Sequence, residues 1–428
     1  MLEALFARIE EQREVLVELT RELVQIPTIN PPGAAYGACA RHLGNRLGRS
    51  GFEVSYLRAE GALGDSERYP RINLIARYEG RATGPCVHFN GHLDVVEPGQ
   101  GWSVNPFAGA VHHGRLYGRG ACDMKGGIAA AVVALESIIA AGIRFAGALE
   151  LSGTVDEESG GHAGVAWLAG QGWFSPPRVD HVIIPEPLGV DRICIGHRGV
   201  WWAEIETWGR TAHGSMPFLG DCAIRHMGAV LNRLERHLLP KLATRQTAMP
   251  VVPRKARQST LNLNAIHGGP AEGQGGLQSP LVADRCRLTI DRRFLIEEDL
   301  TEVKAEVTEL LEQLCHDRPS FRYRLRDLME VLPSLTPRDA PVVRAVGQAI
   351  ERVLGKSPAL VVSPGTYDQK HVQRIGRLED CIAYGPGILE LAHQPDEYVV
   401  IDDLVNSAKV MAAAALGLLG VEASQAAP

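Results

Sequence analysis

Acids and histidines recur in this chain where apolar, β-prone runs open into loops marked by glycine or proline. GHLDVV supplies His92 and Asp94 directly after CVHFN, and GRGACDMKGG supplies Asp123 ahead of an alanine-rich run. TVDEESGG supplies Asp156, Glu157 and Glu158, IIPEPLG supplies Glu186, and LAHQPDEYV supplies His393. Three adjacent acids at a strand end repel one another, and a partly desolvated carboxylate prefers to be neutral. Either water bathes all three, or strong positive charge sits between them. If the stretches converge on one sheet edge, several carboxylates meet two imidazoles. Nitrogen and carboxylate oxygen donors without thiolate suit zinc, cobalt or manganese. Two divalent ions match that much negative charge better than one, and metal between the acids explains their crowding.

Each stretch alone has a plainer reading. Acids at a helix start favour its dipole. A His-x-Asp pair is common on surfaces, and Asp123 could simply cap the helix that follows it. GRGACDMKGG lacks the G-x-x-x-x-G-K-[ST] of a phosphate loop, and an acid at its centre would repel phosphate. The five stretches occurring together, in one order, outweigh these separate readings.

The elements that must position them follow from pattern. At 428 residues the chain exceeds one ordinary core, so two domains are expected. A hydrophobic content of 45% with 22% charged residues is globular composition. A net charge of -6 argues against a nucleic-acid or anionic-membrane surface, and no apolar stretch reaches spanning length. MLEALFARIEEQREVLVELTRELVQIP reads as amphipathic helix, not signal peptide, so a cytoplasmic location is expected. None of the eight cysteines forms a C-x-x-C pair, which predicts free buried thiols in a reducing compartment.

The first helical pattern ends near Ile26, because PTINPPG cannot continue it. A second covers 37–50. INLIARYEG, CVHFNGHLDVV, ALELSGTV and DHVIIPEP read as strands, alternating with helices over GIAAAVVALESIIAAG and 162–171. That alternation predicts a largely parallel, doubly wound α/β sheet with ligands beyond the strands' carboxyl ends. From about Val200 the pattern changes: VWWAEIETWG, STLNLNAIHGG and RCRLTIDRRFL alternate apolar and polar, as half-exposed antiparallel strands do. Helical patterns over 222–239 and 298–315 complete a smaller α+β unit. α/β character then returns, and a last helix covers 401–419. The expected organisation is an α/β domain over 1–199 and 326–428, interrupted by an α+β unit over 200–325.

From LVQIPTINPPG to HQPDE, the ordered set GHLDVV, GRGACDMKGG and TVDEESGG resembles a family of co-catalytic metallopeptidases and deacylases. That family includes acetylornithine deacetylase, succinyl-diaminopimelate desuccinylase, aminoacylase and glutamate carboxypeptidase. The resemblance implies that the α/β domain is catalytic and that the α+β unit is a ferredoxin-like lid and dimerisation domain. It also implies two zinc ions, with cobalt or manganese as substitutes, bridged by Asp123. One ion takes His92 and Glu186, the other Glu158 and His393. Asp94 orients His92, and Glu157 is the general base, acting on a water acidified by zinc. His213 in GRTAHGSMP matches a histidine that stabilises the oxyanion, usually across a dimer interface. Arg293 in TIDRRFLIEE matches a carboxylate clamp; parity puts Thr289, Asp291 and Arg293 on one polar face, with Arg292 as the alternative. Asn262 is a pocket candidate, and Gly365 and Thr366 in GTYDQKHV match a substrate loop. Leu277 stands where many relatives carry Asn, and Tyr367 and Lys370 change the usual loop. Glu186, where some carboxypeptidases place Asp, leans towards deacylases. The implied activity is hydrolysis of an N-acyl amino acid by a homodimer, or else cleavage of a di- or other small peptide. A catalytically silent binding protein would have lost the base or a ligand, and no expected position is lost.

Overall fold

The computed structural model describes residues 1–269 and 280–421, and the chain divides into two units. Unit one comprises 1–196, 336–361 and 367 onwards; unit two comprises 197–335 and 362–366. Among the described residues, no helix is long and apolar enough to cross a membrane.

The first unit is built on a mixed sheet ordered Glu53–Arg58, Ile72–Glu79, Ala148–Thr154, Cys86–His92, His181–Ile184, Cys381–Ala383 and Arg192–His197. Its centre is parallel: Cys86–His92 runs alongside both Ala148–Thr154 and His181–Ile184, and the latter alongside Cys381–Ala383. Both central strands are buried along their whole length. One face carries Val87, Phe89, Leu149 and Leu151 into the core. The other buries polar side chains, which satisfy one another as buried polar groups must. His88 lies 2.8 Å from Glu150 and 2.7 Å from Ser152, and Ser152 donates to Asn90.

Helix Gly126–Ala140 is buried on nearly every face, as its alanine-rich sequence predicts, and packs on Ile401–Leu418. Gly127 permits a close approach there, since a Cβ would run into the Pro185 carbonyl, next to Glu186. The initial amphipathic stretch forms Leu2–Glu11 and Arg13–Gln25. The helix expected over 162–171 is instead two short turns, His162–Ala166 and Trp167–Gly170. Gly164 breaks it with non-helical angles, and a Cβ there would strike the Val155 carbonyl.

The second unit has a four-stranded antiparallel sheet in the order Thr260–Gly268, Arg285–Phe294, Gly199–Trp208, Arg322–Val331. With helices Ala223–Arg233 and Leu300–Asp317 this is a β-α-β-β-α-β succession, as in ferredoxin-like folds. Trp201, Ala203, Ile205, Leu288 and Ile290 face the helices and share a core with Met227, Val303 and Val307. The expected boundary at 325 falls inside strand Arg322–Val331, and the unit runs on to Leu335. RYRLRDLMEV carries charges at alternate positions and sits at the sheet edge, so its strand signal is weak. Leu277 lies outside the described residues.

Candidate metal centre

The carboxyl ends of the three neighbouring parallel strands deliver most of the site. His92 closes Cys86–His92, the turn Glu157–Ser159 follows Ala148–Thr154, and Glu186 follows His181–Ile184. Asp123 precedes helix Gly126–Ala140 with extended angles (φ -117°, ψ 95°), and its peptide bond to Met124 is cis. His393 has a left-handed backbone, φ 64°.

Two donor groups form, each within 4.8 Å: His92, Asp123 and Glu186, and Asp123, Glu158 and His393. Asp123 belongs to both. Its Oδ1 lies 3.1 Å from His92 Nε2, and its Oδ2 lies 3.5 Å from His393 Nε2. Glu186 stands 3.9 Å from His92 Nε2, and Glu158 3.0 Å from His393 Nε2. Donors in a tetrahedral shell with bonds of about 2.0 Å are about 3.3 Å apart. The spacings therefore fit one ion per group, with one oxygen of Asp123 turned to each.

His92 Nδ1 is 3.0 Å from the Asp94 carbonyl oxygen but 3.7 Å from its carboxylate. That carbonyl fixes the tautomer, leaving Nε2 as the free donor. The contact between Asp94 and the His92 ring is thus made by its backbone. The Asp94 carboxylate faces elsewhere: it accepts from Asn30 (2.9 Å) and from the backbone N–H groups of Glu157 (3.2 Å) and Glu158 (3.1 Å). Asp94 therefore joins the histidine to the acidic turn.

The three crowded acids are separated by the fold itself. Asp156, at φ 62°, turns back to Arg71 (2.9 Å) and Tyr36 (2.8 Å). Glu157 meets the buried Lys370 ammonium at 3.3 Å, and Glu158 meets His393. The crowding of Asp156 therefore needs no metal, because Asp156 has its own buried cation.

Burial raises the Glu158 carboxyl to about 7, helped by the charge of Asp123, and pushes Glu186 well above its usual range for the same two reasons. Burial opposes charge on Asp123 too, but hydrogen bonds from His393 and His92 hold it well below the ordinary value. Asp123 and Glu158 lift His393 to about 10. Three carboxylates so placed want more positive charge than two imidazoles provide, which is the electrostatic demand of a divalent-cation site.

The remaining expected residues belong to the second unit. His213 is exposed, with Nδ1 2.7 Å from the Ser215 hydroxyl. Arg293 forks onto Asp291 at 2.8 and 3.0 Å, on the face opposite Arg292. Arg292 is fully buried and pairs with Glu298 at 2.7 Å. Asn262 is exposed and donates to Asn264. The Gly365 N–H donates to the Ser363 hydroxyl, Thr366 is half-buried, and Arg198 donates to the Pro364 carbonyl beside them.

Sequence reasoning missed the Lys370–Glu157 contact, although Lys370 stood out in its loop. It also missed Asn30, Arg119 and Glu397, whose contacts with the site loops have no local signal.

A family model described as Peptidase family M20/M25/M40 matches residues 88–417, and the chain belongs to that family. It is a hydrolase of amide bonds. The chain is 31% identical over 403 residues to a succinyl-diaminopimelate desuccinylase of Methylorubrum extorquens, covering 90% of this chain and 94% of the relative. It is 28% identical over 434 residues to an N-formyl-4-amino-5-aminomethyl-2-methylpyrimidine deformylase of Bacillus subtilis, covering 94% of each. Among solved structures, human carnosine dipeptidase 1 shares the fold with a TM-score of 0.79 at 20% identity, over 98% of this chain and 99% of that one.

Proposed function

We propose that this chain is a dinuclear zinc amidohydrolase that cleaves an N-acyl amino acid into a carboxylic acid and a free amino acid. The observation that carries the proposal is the pair of donor groups sharing Asp123, with Glu157 beside them on a buried lysine. His92, Asp123 and Glu186 hold one ion; Asp123, Glu158 and His393 hold the other. Bound zinc, or cobalt or manganese in its place, supplies Lewis acidity towards an amide carbonyl and towards water.

Glu157 accepts the proton of the attacking water and delivers it to the departing amine, as a general base and then acid. Lys370 fixes one oxygen of Glu157, leaving the other for that exchange. Asp94 keeps the Glu157 backbone in register with His92. In the second unit, His213 is assigned to the oxyanion and Arg293 to the substrate carboxylate, which must compete with Asp291 for the guanidinium. Asn262 and the Gly365 and Thr366 backbone are assigned to the substrate's remaining polar groups. The desuccinylase and deformylase names of the relatives support acyl removal over peptide cleavage. Exposed Phe218, Leu219 and Ile266 support a homodimer formed through the second unit, and eight free cysteines support a cytoplasmic setting.

The deciding experiment measures free amine released from N-acetyl and N-succinyl amino acids and from dipeptides, with and without chelator. Release from the acyl amino acids, lost with chelator, is expected. Cleavage confined to dipeptides would replace the deacylase reading with a peptidase one.

A further inference from the structure

The carboxylate of Glu397 is fully buried, yet it touches no proposed ligand atom. Its Oε1 accepts three backbone N–H groups, from Gly120 (3.0 Å), Cys122 (2.9 Å) and Asp123 (3.1 Å). Its Oε2 pairs with Arg119, itself buried. The same guanidinium donates to the carbonyls of His393 (3.2 Å), Gln394 (3.3 Å) and Pro98 (3.1 Å). The Gly118 N–H closes the loop by donating to the Glu397 carbonyl at 2.9 Å. One ion pair therefore ties the backbone carrying Asp123 to the backbone carrying His393.

Two features separate this from ordinary core packing. Three N–H groups converging on one oxygen fix the path of residues 120–123, where Asp123 departs from helical angles just before a helix. Arg119 also grips the carbonyl of His393, whose left-handed backbone aims its ring at Asp123 and Glu158. A carboxylate can accept several such bonds at once, whereas an amide replaces one acceptor oxygen with a donor.

We infer that the Arg119–Glu397 pair is a positioning device for the donor group Asp123, Glu158 and His393, setting the affinity of the ion held there. The inference rests on the proposed metal reading. The other group shares only Asp123 with this clamp and takes His92 and Glu186 from different strand ends, so its ion depends on the pair much less.

The test is a two-step cobalt titration of the metal-stripped full chain by calorimetry, for the parent, Glu397→Gln and His393→Ala. In Glu397→Gln, the step that His393→Ala abolishes is expected to weaken by roughly 10–100-fold, the usual effect of losing such an outer partner. The second step changes far less. In the metal-stripped protein, Glu397→Gln also speeds amide exchange across 118–125. Asp380→Asn is the control: it weakens half-buried contacts to His181 and the Val342 N–H, and is expected to lower stability without altering either affinity. If Asp380→Asn weakens cobalt binding as Glu397→Gln does, general destabilisation explains the effect and the clamp is rejected. A parent that takes up no ion overturns the metal reading beneath the inference. A parent that binds two, matched by Glu397→Gln in affinity and in exchange, overturns the inference alone.

Discussion

Each unit contains a buried cluster of charge, and the two are built to opposite ends. In the second unit Arg292, Arg245 and Lys241 surround Glu298 and Glu306. Burial works against both acids, but backbone and Ser259 hydrogen bonds with Arg292 hold Glu298 below its ordinary pKa, and Arg245 and Lys241 do so for Glu306. At the strand ends of the first unit, burial and the Asp123 charge push Glu158 and Glu186 upward. A cluster whose acids are all stabilised as anions already has its cations and serves as a brace. One in which two acids are driven towards neutrality around an ionised third, Asp123, is short of positive charge, and that shortage marks a site able to recruit it.

The contrast breaks most visibly through metal removal. Stripping the protein is expected to abolish amine release and readdition of zinc to restore it. Free zinc at 100 times its dissociation constant adds about 2.7 kcal/mol to stability. A urea midpoint insensitive to zinc would place the two clusters in one class. Next in size is Glu157→Gln, which should cut turnover by about 10²–10⁴-fold while metal content stays near that of the parent. Elemental analysis alongside kinetics checks both halves.

In the brace, Arg292→Met removes the fully buried partner of Glu298 but leaves it Arg245 and the Leu295 N–H, and is expected to cost about 1.5–3 kcal/mol in urea unfolding. Cobalt affinity should not move; a change would show the brace to be part of the metal site. Lys370→Met removes a charged hydrogen bond worth about 1.5–3 kcal/mol, so kcat should fall about 10–100-fold with two ions still bound. A rise in KM at constant kcat would instead make Lys370 a substrate contact. The smallest effect concerns pH. Glu298 and Glu306 have depressed pKa values when folded, so their stabilisation is present above the ordinary value of 4.5 and is lost as pH falls below it. The urea midpoint of the brace's unit should drop through that window, and Glu298→Gln should flatten the drop.

Much of the candidate site could be read from residue types at strand ends. His92, Glu157, Glu158 and Glu186 stand out because each follows a β-prone run, whereas Asp123 precedes a buried helix and His393 follows the short turn Leu389–Leu391. Which of them are taken as ligands rests on the family resemblance. Period-two parity was enough to put Arg293 on the face opposite Arg292. Strand Arg322–Val331 escaped notice because an edge strand with alternating charges buries little, and hydrophobic pattern is the signal being read. The short turns over 162–170 escaped because helical periodicity does not register the contact that Gly164 makes with Val155.

What the sequence by itself determined was therefore local: element type, face and the kind of atom each strand end offers. Only the tertiary structure decided which charge meets which. Asp156 reaches Arg71 across 85 positions, Glu157 reaches Lys370 across 213, and Glu158 reaches His393 across 235. Likewise it chose the Asp94 carbonyl over its carboxylate for His92, and drew Glu397 under the Asp123 turn. The reason is physical. Periodicity and propensity report on neighbours a few residues apart, whereas these pairings depend on strand order and loop closure over hundreds of residues.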